Sequence, residues 1–271
     1  MKNKLFLFTL ILGFAFGLIT FTSCGDDDEV PTPSAPCQDN ENIIVDGIAY
    51  NTTKDGDATV IRKSSVDGYK GNVAIPEQIN FEGATYSVTS IGEYAFSYCS
   101  NLTSITIPGS VTKIEAHAFH DCDALKAITI PNSVKSIGFG VVGWCERLET
   151  VVIGNGISHI NDWAFEECPS LKSVKIPSSV TRIGYYVFRN CTSLKTITIP
   201  HSVTTIDSGS FENCTNLKSV TCLAWRVPST LYGEIFKNVP LDAATLYVFS
   251  SAIEDYRAAS EWSEFGTIQG I

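Results

Sequence analysis

The sequence predicts an α/β solenoid, a stack of short coils closed at both ends by caps. Three observations predict it: cysteines recur at a constant step, apolar residues recur on the same step, and Pro repeatedly follows one Ile of the unit. Cys99, Cys122, Cys145, Cys168, Cys191 and Cys214 lie 23 residues apart. Leu102 to Leu217, Ile91 to Ile206 and Ile107 to Ile199 keep that step. So does the row Phe96, Phe119, Val142, Phe165, Phe188 and Phe211. A short unit repeated in register cannot bury its apolar face alone, so neighbouring units must stack.

Each coil follows from its residues. In Leu102–Pro108, Leu102, Ile105 and Ile107 point inward while Ser104 and Thr106 alternate outward, the pattern of a half-buried strand. Pro108 has no N–H for a ladder and ends it. Val111 and Ile114 turn inward after a bend. Phe119 and Cys122 stand three apart, which predicts a short helical or 3₁₀ turn. Equivalent residues of successive coils should sit about 4.8 Å apart.

The flanks differ from the repeats. Met1–Lys4 is basic and residues 5–21 are continuously apolar, as in a secretory signal peptide; an uncleaved anchor is the alternative. Thr22-Ser23-Cys24 resembles a bacterial lipobox, with Phe21 where Leu is usual, and implies lipid attachment at Cys24. The acidic run Asp26–Glu29 resembles a surface-export signal, and residues 24–40 read as an acidic, Pro-rich tether that also carries Cys37. Residues 41–90 read as an N-terminal cap and a first irregular coil with a hairpin around Glu82-Gly83. Residues 91–222 are the repeats. Residues 223–271 read as a C-terminal cap: a strand at 244–249, a capping box at Ser251–Glu254 opening a helix, and Tyr256, Trp262 and Phe265 covering the last coil.

The repeat signature A-F-x-x-C-x-x-L resembles the BspA-like leucine-rich repeats. That resemblance implies a right-handed superhelix and a surface or secreted protein; together with the lipobox and the acidic run it implies a surface lipoprotein of the outer membrane. It also implies adhesion or protein–protein interaction with host matrix or other bacteria. Local departures are Val141-Val142 for Ala-Phe, Gly154 for Pro, and Val187 and Gly209 for Ala.

Little in the sequence points to chemistry. Net charge is −10, and −12 for a chain beginning at Cys24 (17 basic, 29 acidic residues), so nucleic acid is not an expected partner. Residues 138–143, GFGVVG, spell G-x-G-x-x-G with Asp162 downstream, but the repeat register leaves no room for the helix that a dinucleotide site requires, so no nucleotide is expected. His117, His120 and Asp121 lack a third or fourth convergent ligand, and Asp55-Gly-Asp57 lacks the rest of a calcium loop. The cysteines form no C-x-x-C pair and read as small buried apolar residues. No catalytic residue, metal or cofactor is expected.

The variable positions hold the remaining information. Three residues past the second-strand Ile, the stack reads Tyr94, His117, Gly140, Trp163, Tyr186 and Gly209, with Phe139 and Tyr185 beside it. Tyr94, His117, Phe139, Trp163, Tyr185 and Tyr186 are therefore expected to form an aromatic stripe. Such a stripe either binds a protein or polysaccharide, or packs over the turns. Three functions are open: a lipid-anchored protein-binding module, a glycan-binding accessory lipoprotein, and an envelope spacer without a ligand.

Overall fold

A computed structural model of the chain describes residues 38–64, 68–230 and 232–271. The expected signal peptide, Cys24, Cys37 and the expected tether up to residue 37 lie outside the described residues; residues 38–40 of that tether instead belong to the cap, where the Gln38 amide donates to the Tyr86 hydroxyl and Asn40 opens the first strand. Among the described residues no helix is long and apolar enough to cross a membrane.

The chain begins with a meander: β1 (Asn40–Val45), β2 (Ile48–Thr52) and β3 (Asp57–Val60). β4 (Gly71–Ala74) follows, then β5 (Gln78–Phe81) and β6 (Ala84–Ile91) as an antiparallel hairpin. Its two turn residues, Glu82 (φ 50°) and Gly83 (φ 81°), both take the left-handed conformation that matches strand twist. β3 then pairs in parallel with β6 and joins the cap to the stack.

From there each coil contributes a longer and a two-residue strand. The longer ones are β7 (Leu102–Thr106), β9 (Ala127–Ile130), β11 (Thr150–Ile153), β13 (Ser173–Lys175), β15 (Thr196–Ile199) and β17 (Ser219–Cys222). Between them lie β8 (Lys113–Ile114), β10 (Ser136–Ile137), β12 (His159–Ile160), β14 (Arg182–Ile183) and β16 (Thr205–Ile206). All pairings among the repeats are parallel and in register, for example Thr150↔Ser173 and Ile160↔Ile183. The longer-strand ladder runs on through β18 (Thr245–Val248) and β19 (Thr267–Gly270), with α1 (Ile253–Ala258) between them.

The third side of each coil is a run of turns. Ala95, Ser97 and Cys99 donate backwards to Gly92, Tyr94 and Phe96, the i→i−3 bonds of a 3₁₀ turn. Left-handed residues four apart, Tyr94 (φ 55°) and Tyr98 (φ 62°) in this coil, stop the run from winding into a helix. They leave alternate amides free to bond the next coil: His117 donates to Phe139, Phe119 to Val141 and Asp121 to Gly143. The turn side therefore has its own parallel amide ladder.

The core is a set of stacked rows. Phe96 lies parallel to Phe119 at 5.1 Å, and Phe165, Phe188, Phe211 and Phe236 continue the column after Val142 interrupts it. The described cysteines are free and buried, and the identity of the ladder ones has a specific cause. The Cys145 thiol donates to the Phe119 carbonyl one coil earlier (3.2 Å), and Cys122, Cys168, Cys191 and Cys214 donate to the same position in their own preceding coils. A methyl would fill the space but leave that buried acceptor without its donor.

The C-terminal cap departs from the sequence expectation at one point. Ser251 is not the N-cap: it lies inside a 3₁₀ turn (Ser250–Ala252), and α1 begins at Ile253 without a side-chain cap. The chain reaches α1 already wound, because Ala252 donates to Phe249, so no separate cap is needed. Tyr256, Trp262 and Phe265 are buried, and Trp262 and Phe265 meet the last ring of the column, Phe236, edge-on at 5.3 Å. GFGVVG is part of the stack. A Cβ on Gly138 would come within 2.2 Å of the Ala116 amide nitrogen, so the residue is glycine because two coils touch there.

Candidate functional site

The turn side carries two left-handed rows. The first is Tyr94, His117, Gly140, Trp163, Tyr186 and Gly209; the second is Tyr98, Asp121, Trp144, Glu167, Asn190 and Asn213. A left-handed residue directs its side chain away from the tight turn, and for a bulky residue the conformation is costly. Gly occupies two first-row positions without that cost, so aromatic rings at the others are held against strain.

Each expected stripe residue can be placed. His117 stacks on Tyr94 at 5.1 Å and 8°. Its ring covers Gly140, where a Cβ would stand 2.7 Å from His117 Nδ1. Phe139 and Trp163 meet edge-on at 6.3 Å. Tyr186 has two close neighbours: it lies over Gly209 and carries the Arg189 guanidinium at 4.9 Å. Tyr185 sits beside Arg182, which clamps the fully buried Asp207 through Nε (2.7 Å) and Nη2 (2.6 Å). The structure therefore brings Tyr94 together with His117 and Phe139 with Trp163, and gives Tyr185 and Tyr186 to arginine packing.

The second row was missed from sequence. Tyr98 and Trp144 are 58% and 50% exposed, more than Tyr94 (41%) or Trp163 (40%). His120 links the two rows: its ring is 5.4 Å from His117, 5.9 Å from Tyr98 and 6.3 Å from Trp144. Burial, then the neighbouring His117, hold the His120 pKa below its ordinary value. Burial, then Asp123, raise that of Asp121. Further along, the second row turns polar: Asn213 Nδ2 donates to Asn190 Oδ1 (2.7 Å), Asn238 Nδ2 to Asn213 Oδ1 (2.9 Å), and Asn190 Nδ2 to Glu167. The second row thus loses its aromatic rings after Trp144, while on the far side of Trp163 Tyr185 meets the exposed Tyr232 at 6.4 Å.

The family model for the BspA type leucine rich repeat region matches residues 76–192 and 143–256, in six copies. The chain belongs to the BspA-type leucine-rich-repeat family. A leucine-rich repeat protein from Eubacterium ventriosum is 28% identical with a TM-score of 0.55; the match covers 64% of this chain and 43% of that one, under half its length. A leucine-rich repeat protein from Bacteroides ovatus is 23% identical over 85% of this chain and 76% of its own (TM-score 0.42). A leucine rich cell surface protein from Faecalibacterium prausnitzii is 16% identical over 86% and 95% (TM-score 0.38). No curated protein matches the chain.

BspA-type repeats form a scaffold whose conserved-spacing positions are buried, so variety lies in residues such as the left-handed rows. Solenoids of this kind serve as extended protein-interaction surfaces. Among the described residues no three His, Cys, Asp or Glu side chains converge as metal ligands. The longer-strand face offers a different surface, small exposed hydroxyls such as Ser104, Thr106, Thr129, Thr196 and Thr198.

Proposed function

We propose that this BspA-type protein is a lipid-anchored, cell-surface binding module. Cys24 carries the lipid in the outer membrane, and the aromatic face takes a protein partner, a host matrix or bacterial surface protein, in adhesion. One observation carries the reading: Tyr94, Tyr98, Phe139, Trp144 and Trp163, each 40% exposed or more, sit within four successive coils. Protein interfaces concentrate energy in clustered Trp and Tyr anchors, and a soluble surface rarely gathers such rings by chance. Glu93, Asp123 and Glu146 are charged neighbours of the patch in sequence and favour a partner with a basic rim.

Two experiments test it. Protease added to intact cells is expected to cut the repeat domain; full protection would place it elsewhere. Residues 25–271 are expected to bind one protein of a panel of immobilised matrix and bacterial surface proteins. A panel that captures nothing would favour the envelope spacer.

A further inference from the structure

The stack loses its 23-residue register after the last full repeat, and a cavity lies where the loss begins. Arg182 pairs with Thr205 23 residues later, but Thr205 pairs with Ser229 24 residues later. Leu223 still donates to Ile199, as the 23-residue register requires for that position (compare Gly154 to Ile130). An insertion therefore enters after Leu223, one residue by the Thr205–Ser229 bridge and two by the time Phe236 stacks on Phe211. It carries Trp225 and Arg226 out of the coil, and Trp225 is 66% exposed.

Trp225 is exposed but not loose. Its ring stacks on Phe249 of the C-terminal cap at 4.3 Å and 14°, and Phe249 packs against the core. Phe249 covers one indole face. Trp225, and not Phe249, lines a cavity of about 370 Å³. Val203 and Ala224, both buried, form an apolar floor; His201, Arg226 and Ser229 supply the polar lining. Ser229 Oγ donates to the Thr204 carbonyl (3.1 Å) and accepts from Thr205 Oγ1 (3.2 Å), which leaves one lone pair for a ligand. Arg226 makes no ion pair among the described residues, although the chain is rich in carboxylates.

We infer that this cavity is a subsite for a pyranose ring bearing a carboxylate, a uronic-acid unit of a polysaccharide. The C–H face of a pyranose is flat and apolar and suits an aromatic platform held from behind. The imidazole and the serine oxygen suit sugar hydroxyls. The Arg226 fork suits a carboxylate bidentately, which a neutral sugar lacks. The cavity is at the small end of ligand sites, enough for one or two rings and not a folded partner. It lies on the bend between the longer strand and the two-residue strand, not on the aromatic turn side, and does not depend on the protein-binding proposal.

The test is calorimetric titration of the full chain, in detergent, with oligomers of galacturonate, glucuronate and mannuronate and with their uncharged methyl esters. At least one uronate oligomer is expected to bind. Trp225→Ala should weaken it more than tenfold, and Arg226→Gln should cost about tenfold for the acid and nothing for the ester. Trp225→Phe, which keeps a ring on Phe249, should retain partial binding and controls for folding, as does an unchanged melting temperature. Trp144→Ala should leave this titration unaltered, which separates the site from the aromatic face. No binding by any of the three acids would overturn the inference. So would equal binding of acid and ester, or a folded Trp225→Ala protein that binds like wild type.

Discussion

His117 lies flat on Tyr94, 5.1 Å away and 8° from parallel, and at the same time presents its ring to the edge of His120 at 5.4 Å. Two residues from one coil thus join the two left-handed rows into one face. His117 Nδ1 is buried and finds no partner. The face is built around two imidazoles, and the lowered pKa of one, His120, has consequences for pH.

The His120 pKa is lowered below its ordinary value of 6.5, first by burial and then by His117. Between the folded value and 6.5 the unfolded chain binds more protons than the folded one, so stability rises with pH across that window. The contribution is complete above 6.5 and is lost as pH falls. Urea unfolding at pH 5.5 and 7.5 should therefore show a smaller pH difference in His120→Asn than in wild type. An identical difference would remove His120 from the account.

Two glycines of the GFGVVG segment separate by what they touch. A Cβ on Gly138 would meet the Ala116 backbone at 2.2 Å, which neither coil can yield. A Cβ on Gly140 would meet the His117 ring at 2.7 Å, a side chain that can move, at a left-handed φ of 51°. Gly138→Ala should cost about 3 kcal/mol or more by urea unfolding and Gly140→Ala about 1–2 kcal/mol. The reverse order would contradict the coil contact.

The Arg182–Asp207 pair predicts an asymmetry. Asp207 is fully buried whereas the Arg182 side chain is 41% exposed. Arg182→Met strands a buried carboxylate and should destabilise by about 3 kcal/mol. Asp207→Asn strands an exposed cation, which water solvates, and should cost less. Chemical denaturation of both variants decides the order.

The thiol row predicts slow chemistry and a modest energy. Burial pushes the Cys214 pKa up to about 12 and that of Cys191 well above its usual range. The buried thiols should resist a maleimide reagent at pH 8 until denaturant is added. Cys168→Ala should lower stability by about 1–2 kcal/mol through the lost bond to Val142 and a small cavity. Rapid labelling of the native fold would show that the stack opens.

The strands, core rows and cap aromatics could be read from the sequence because packing repeats. Leu125, Ile130 and Phe119 recur where every coil needs the same buried volume, so period alone locates them. The turn conformation could not be read that way, because it depends on amide bonds between coils such as Phe119 to Val141. The second row was hidden for another reason. Tyr98, Asp121, Trp144, Glu167, Asn190 and Asn213 share no chemistry, only a left-handed φ. One signal was available: each directly precedes a ladder cysteine. The Trp225 cavity needed coordinates, because an insertion after Leu223 changes no motif.

The most direct test of the central claim, that the aromatic face binds the partner, is the affinity of Trp144→Ala/Trp163→Ala for the protein captured by wild type, measured by surface plasmon resonance. Each ring, as an interface anchor, should contribute about 2 kcal/mol. The account predicts a loss of at least about 100-fold with an unchanged melting temperature. A folded double variant that binds within about twofold of wild type would contradict it and move the site to another face.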